Sequence, residues 1–154
     1  MTNKPAQQLI VGWREWASLP DLDIALIKAK IDTGARSSAL HAFKIDPYRK
    51  GGQRWVMFAI HPKQKSDLAI ECHAQIKDRR LVSDSGGHKQ RRYVIETRLL
   101  LGPISMNAEV TLTNRDSMLF RMLLGRTAMT GHVMIDPSIS YALGKPNLLP
   151  DHLK

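Results

Sequence analysis

A strand-like stretch runs straight into a small acid-bearing loop at Lys30-Ile31-Asp32-Thr33-Gly34-Ala35. A carboxylate at the end of a rigid strand is fixed in direction and can act as a general base on a water molecule. Gly34 has no side chain, so backbone and water can approach Asp32 closely. The Thr33 hydroxyl can hydrogen-bond across a two-fold axis to a second such loop, and Ala35 is small enough to lie beneath a bound peptide. A lone Asp-Thr-Gly also occurs as an ordinary turn, so the rest of the chain must supply the case. About ninety residues downstream stands Met122-Leu123-Leu124-Gly125-Arg126, an apolar run ending in Gly-Arg.

The elements that must position these residues read as strands. Ile27, Ala29 and Ile31 alternate with Lys28 and Lys30, the period of a half-buried strand. Arg54 to His61, Ala69 to Ile76, Tyr93 to Leu101 and Ile104 to Leu112 show the same period. Turn chemistry separates them at Lys50-Gly51-Gly52, His61-Pro62, Ser85-Gly86-Gly87 and Gly102-Pro103. No long stretch has helical periodicity; one short helix is expected over Arg126 to Thr130. The class predicted is all-β, a sandwich or barrel. In organisation, residues 1–10 form a lead-in, 11–144 one domain and 145–154 a surface tail carrying two prolines.

Composition sets bounds. A chain of 154 residues suits a single domain. No apolar run approaches the ~18 residues of a membrane-spanning helix. The polar N-terminus lacks the apolar core of a signal peptide, and the single cysteine, Cys72, excludes an intrachain disulfide; a cytoplasmic location is expected. A net charge of +9 attracts nucleic acid, an acidic protein or an acidic peptide without choosing among them. No GxxxxGK[ST] phosphate cradle and no HExxH zinc motif is present. Glu71-Cys72-His73 is the sole local cluster of ligand types, and neighbours on a strand point to opposite faces, so no metal and no cofactor are expected. His41, His61, His88 and His132 read as surface or hydrogen-bonded histidines.

Asp-Thr-Gly-Ala followed by Leu-Leu-Gly-Arg, in that order in a chain of this size, resembles the retropepsin pattern. The fuller runs Ile27 to Ala42, Arg91-Arg92 ahead of a strand, Thr111 to Arg115 and Val133 to Ser138 resemble a bacterial family commonly labelled "ATP-dependent zinc protease", whose domain is retropepsin-like. The resemblance covers roughly Val11 to Tyr141. It implies a retropepsin-like acid protease barrel with one short helix after the Leu-Leu-Gly-Arg element. It also implies a hydrolase with Asp32 as the catalytic residue, Thr33, Gly34 and Ala35 as its loop, and Leu123, Leu124, Gly125 and Arg126 as structural support. Members of that family are often linked to ATP-grasp amino-acid ligases.

Aspartic proteolysis needs two carboxylates sharing one proton. Asp84 begins Asp-Ser-Gly, but only 52 residues after Asp32 and with no apolar strand before it; Asp136 is followed by proline; Asp116 sits in a polar turn. The second carboxylate is therefore expected from Asp32 of another copy, making the protein a homodimer. Retropepsins cover their cleft with a glycine-containing hairpin, and Leu81 to Tyr93, with Ser85, Gly86 and Gly87 at its tip, is the candidate flap. The cations around it, Lys89, Arg91 and Arg92 above all, would draw an acidic peptide substrate.

The chain departs from viral retropepsins in having Arg36 where an acidic residue would pair with the arginine of the Gly-Arg element. Arg126 must then use a backbone carbonyl or Asp46. Extra strands before Asp32 and insertions around Tyr48 to Lys65 are expected from the added length. Two rival readings are a non-catalytic basic β-domain that binds RNA or an acidic protein, with Trp13, Trp16 and Trp55 as base-stacking surfaces, and a metal-dependent hydrolase.

Overall fold

A computed structural model of the chain describes residues 8–63, 65–83, 86–114 and 119–146. Among these residues twelve strands are formed: β1 (Leu9–Val11), β2 (Arg14–Leu19), β3 (Ile24–Ile31), β4 (Ser38–His41), β5 (Lys44–Lys50), β6 (Gln53–Ile60), β7 (Ile70–Gln75), β8 (Asp78–Ser83), β9 (Lys89–Leu101), β10 (Ile104–Thr113), β11 (Met122–Leu124) and β12 (Val133–Ile135). The one α-helix among the described residues is α1 (Arg126–Met129). The fold is all-β and retropepsin-like, with that short helix directly after Leu-Leu-Gly, as the sequence predicts.

The main sheet has seven strands in the order β10-β4-β11-β3-β2-β9-β8, and a further pairing of β10 with β9 closes it on itself. Closure removes most open edges, leaving β8 as the outer strand. Inside lie Ile27, Ala29, Leu40, Ile95, Leu99, Val110, Met122 and Leu124, the inward positions of alternating strands. A separate three-stranded sheet, β5-β6-β7, is inserted between β4 and β8. It spans and exceeds the Tyr48 to Lys65 insertion expected from the sequence, and Val56, Phe58, Ile60 and Cys72 join it to the core. Gly51 and Gly52 both have positive φ, 58° and 77°, so a two-residue turn of the primed type sets the β5–β6 register.

Strand β2 and the start of β9 depart from the sequence reading for identifiable reasons. β2 carries a fully buried Glu15 at an inward position, which breaks the apolar alternation. The Glu15 carboxylate accepts backbone N–H groups from Gly12 at 2.7 Å, Ala142 at 2.8 Å and Leu143 at 3.1 Å, clamping the two ends of the domain together. β9 begins at Lys89, not Tyr93, because its first residues pair with β8 in an exposed hairpin that needs no apolar face. Arg91 and Arg92 therefore lie inside a strand, not ahead of one.

Candidate active site

Two strand ends lying side by side build the Asp32 loop. β3 and β11 pair in parallel, with Leu123 opposite Lys30 and Leu124 opposite Ile31. The ladder continues past the strands, since Asp32 N–H donates to the Leu124 carbonyl at 2.9 Å. The next turn folds back on the carboxylate: Gly34 N–H donates to Asp32 Oδ1 at 3.0 Å and Ala35 N–H to the Asp32 carbonyl at 3.3 Å. Asp32 is half-buried, while Thr33 and Gly34 are exposed.

The Gly125-Arg126-Thr127 corner braces this loop from below. Arg126 N–H donates to the Ala35 carbonyl at 2.8 Å, and Thr127 N–H and Oγ1 both donate to the Arg36 carbonyl at 3.0 Å. Arg126 Nη1 donates to the Thr33 carbonyl at 2.9 Å, so the arginine takes a backbone acceptor; Asp46 instead faces Lys44. Gly125 N–H donates to Ser38 Oγ at 3.0 Å. A Cβ at Gly125 would lie 2.4 Å from the Ser37 carbonyl oxygen, so only glycine permits this approach. Leu124 and Gly125 are buried and Leu123 half-buried, whereas the Arg36 side chain is exposed.

β8 and β9 form a hairpin where the sequence places one, in register from Asp78↔Val94 to Ser83↔Lys89. Gly86 and Gly87 are exposed at its tip, with Gly87 at φ 84°; Ser85 and Asp84 lie outside the described residues, as does Asp116. Residues facing each other across the ladder share a face. Lys89 and Arg91 are thus on the face of Leu81 and Arg79, but Arg92 is on the other, opposite Arg80. There Arg92 Nε donates to Gln90 Oε1 at 3.3 Å. The three cations grouped by sequence do not form one rim, because a strand's period of two separates neighbours.

The sequence pattern of the RimB-like family, described as retropepsin-like aspartic endopeptidase RimB, matches residues 10–146. The chain belongs to this RimB-like family. A probable alpha-L-glutamate ligase of Shewanella halifaxensis is 44% identical over 91% of this chain and 31% of its own length. One of Parasynechococcus marenigrum is 45% identical over 90% of this chain and 30% of its own. The chain thus spans about a third of the length of these relatives. A crystal structure of a Legionella pneumophila protein of unknown function superposes with a TM-score of 0.72 at 28% identity, covering 89% of this chain and 99% of that one.

The RimB-like chain does not offer a donor set for zinc at Glu71-Cys72-His73. Cys72 is buried with its thiol toward the Leu22 carbonyl, and burial, reinforced by Asp23 and Glu71, pushes its pKa up to about 12. His73 points to the opposite, exposed face, held by Tyr48 Oη at 2.8 Å and Glu71 Oε2 at 3.0 Å. No group of three or more potential ligands occurs among the described residues. Asp136 is the turn residue its sequence suggests, accepting from Ser138 N–H at 2.9 Å and Oγ at 2.6 Å, bonds that lower its pKa.

The tryptophans are half-buried, not core, and cations lie over their rings: Arg14 on Trp13, Lys28 and Lys145 on Trp16, Lys50 on Trp55. A cation over a ring competes with a base for that face. No helix among the described residues is long and apolar enough to cross a membrane. Sequence reasoning missed Ser37, Ser38 and Thr127 as parts of the loop's brace. Their small size and hydroxyls beside Asp32 and Gly125 were the available signal.

Proposed function

We propose that this domain is an aspartic endopeptidase that works as a homodimer, with a water molecule activated between the Asp32 carboxylates of two copies. The observation that carries the reading is the fixed Asp32: its backbone is tied to Leu124, its Oδ1 to Gly34 N–H, and its loop to Arg126 and Thr127. A carboxylate so held, with Thr33 and Gly34 exposed beside it, can meet its symmetry mate without rearrangement. Support for a partner comes from the two-stranded parallel sheet β1-β12, where Ile10 and Met134 stand in register and are 55% and 58% exposed. Exposed apolar pairs of this kind suit a subunit interface.

In the mechanism, one Asp32 is ionised and the other protonated. The ionised carboxylate takes a proton from water as its oxygen attacks the peptide carbonyl carbon. The protonated carboxyl gives its proton to the carbonyl oxygen, forming a neutral gem-diol. The diol collapses to a carboxylic acid as the carbon–nitrogen bond breaks: the leaving nitrogen takes a proton from the carboxyl protonated in the first step, and the other Asp32, left ionised by that step, takes one diol hydroxyl proton, which restores the starting pair. The hairpin of β8 and β9 would close over the peptide and exclude water.

An acidic, glutamate-rich peptide fits the +9 charge, the cations Lys89 and Arg91 on one hairpin face, and relatives that carry such a domain under the name of glutamate ligases. Cleavage of glutamate-rich peptides should be abolished by Asp32→Asn with circular dichroism and sedimentation unchanged. Cleavage that survives this substitution would sink the proposal.

A further inference from the structure

The inserted sheet meets the barrel at Ile76 and Lys77, where Ile76 N–H donates to the Arg54 carbonyl and Lys77 N–H to the Val94 carbonyl, both at 2.8 Å. Beside this crossing opens a polar cavity of about 480 Å³, with Arg49, Arg54, Lys77, Asp78 and Arg79 in its wall. It is open to solvent and predominantly polar.

Two of its charges are already matched. Lys77 binds Glu96 and Glu109, and the Asp78 carboxylate accepts from Arg80 Nε and Arg79 N–H, both at 2.7 Å. Three guanidinium groups remain. The Gly51-Gly52 turn sets Arg49 directly opposite Arg54, and Arg79 lies with its guanidinium 5.5 Å from the Tyr93 ring centroid. Among the described residues no carboxylate pairs with Arg49, Arg54 or Arg79. Like charges directly opposite one another weaken a strand pair, so folding alone gives no reason for this arrangement. Arginines that line one depression without a carboxylate partner suit bidentate binding of carboxylates.

We propose that this cavity is a second anion site, which holds a carboxylate-bearing stretch of an acidic peptide away from Asp32. The proposal rests on the peptidase reading for calling that peptide a substrate, not for the binding. The cavity lies at the base of the hairpin. From Arg79 to Ser83, β8 runs about 14 Å toward the tip, with Arg91 and Lys89 on the same face as Arg79. An extended peptide covers that distance in about four residues, so one chain can occupy both ends. No aromatic ring lines the cavity, so a single-stranded RNA would find charge but no stacking surface.

The test uses the Asp32→Asn protein, which binds without turnover, and a fluorescent glutamate decapeptide titrated by anisotropy at low salt. Arg49→Ala with Arg54→Ala should weaken binding tenfold or more, and Arg79→Gln should weaken it independently. Lys44→Ala with Lys63→Ala, an equal loss of charge elsewhere, should leave it within twofold. Because Arg49 and Arg54 repel and are exposed, their double variant should melt no lower than its parent, which separates lost binding from lost folding. Equal weakening by both double variants would reduce the effect to net charge and overturn the site, as would unchanged binding in the arginine variant. An oligouridylate of equal charge that binds more tightly, and is lost with the same arginines, would overturn the peptide as occupant. Peptide held by these arginines but never cut by the unsubstituted protein would sink the peptidase reading and leave the site standing.

Discussion

Gly125→Ala should damage activity out of proportion to stability. The glycine has φ −91°, an ordinary value, so the added methyl costs nothing in backbone conformation. It would instead stand 2.4 Å from the Ser37 carbonyl oxygen, 2.5 Å from the Ser37 carbonyl carbon and 3.0 Å from the Arg36 carbonyl oxygen. All three atoms are backbone, so no flexible side chain can turn away. Restoring ordinary contact requires the 36–38 segment to retreat by about 1 Å, and that segment holds Thr127 and Gly125 through the Arg36 carbonyl and Ser38 Oγ. Overpacking of this kind costs about 1–3 kcal/mol, which lowers Tm by roughly 3–10 °C in a chain of this length. A misplacement of ~1 Å at the reacting group costs about a hundredfold in rate. The assay is cleavage of a glutamate-rich peptide well below the melting transition, beside a thermal melt. A variant that melts as predicted yet cleaves at the parental rate would refute the claim that this corner positions Asp32; one that melts unchanged would refute the steric argument itself.

Glu15→Gln should lower Tm by roughly 6–12 °C, because a buried carboxylate serving three backbone donors becomes an amide with one acceptor oxygen and one group facing a donor, a loss of about 3 kcal/mol; a melt within 2 °C of the parent would refute the clamp. Stability should also fall in acid through the Glu109 cluster. Hydrogen bonds from Arg80, aided by Lys77, hold the Glu109 carboxyl at about 2 against an ordinary 4.5, and Glu96 and Asp78 are likewise lowered, by Lys77 and Arg80 respectively. A carboxylate with a depressed folded pKa stabilises fully above its unfolded value and loses that contribution as pH falls toward the folded one. Melting temperature should therefore drop between about pH 4.5 and pH 2, and Arg80→Leu should flatten the drop; parallel curves for the two proteins would dismiss the cluster as the cause.

How much of this was legible in the sequence depended on whether a residue's role was local. β3, β6, β7 and β10 could be read because apolar and polar residues alternate over part of each. β2 could not, because Glu15 takes an inward position whose acceptors' partners lie about 130 residues away. Asp32 and the Leu-Leu-Gly-Arg element were each visible, but their union through parallel strands and six hydrogen bonds is long-range and unmarked in either segment. The grouping of Lys89, Arg91 and Arg92 failed for the opposite reason: adjacency in sequence was taken as adjacency in space, and the strand put Arg92 on the other face. The Arg49 and Arg54 pair was readable in principle, since equal spacing about Gly51-Gly52 sets them opposite once that turn is recognised.

The inserted sheet makes best sense in relation to the hairpin beside it. The strands β5 to β7 add no residue to the loop that fixes the Asp32 carboxylate. What they add is a wall: Arg49 and Arg54 face a cavity whose other side is Arg79, at the root of the hairpin. The crossing at Ile76 and Lys77 ties that wall to β9 by a single backbone bond, and Lys77 anchors it further through Glu96 and Glu109. An anion drawn into the cavity would pull together the insert and the hairpin root, the two bodies that this short crossing joins. If the proposed flap closes over Asp32, binding at the cavity and that closure would favour one another.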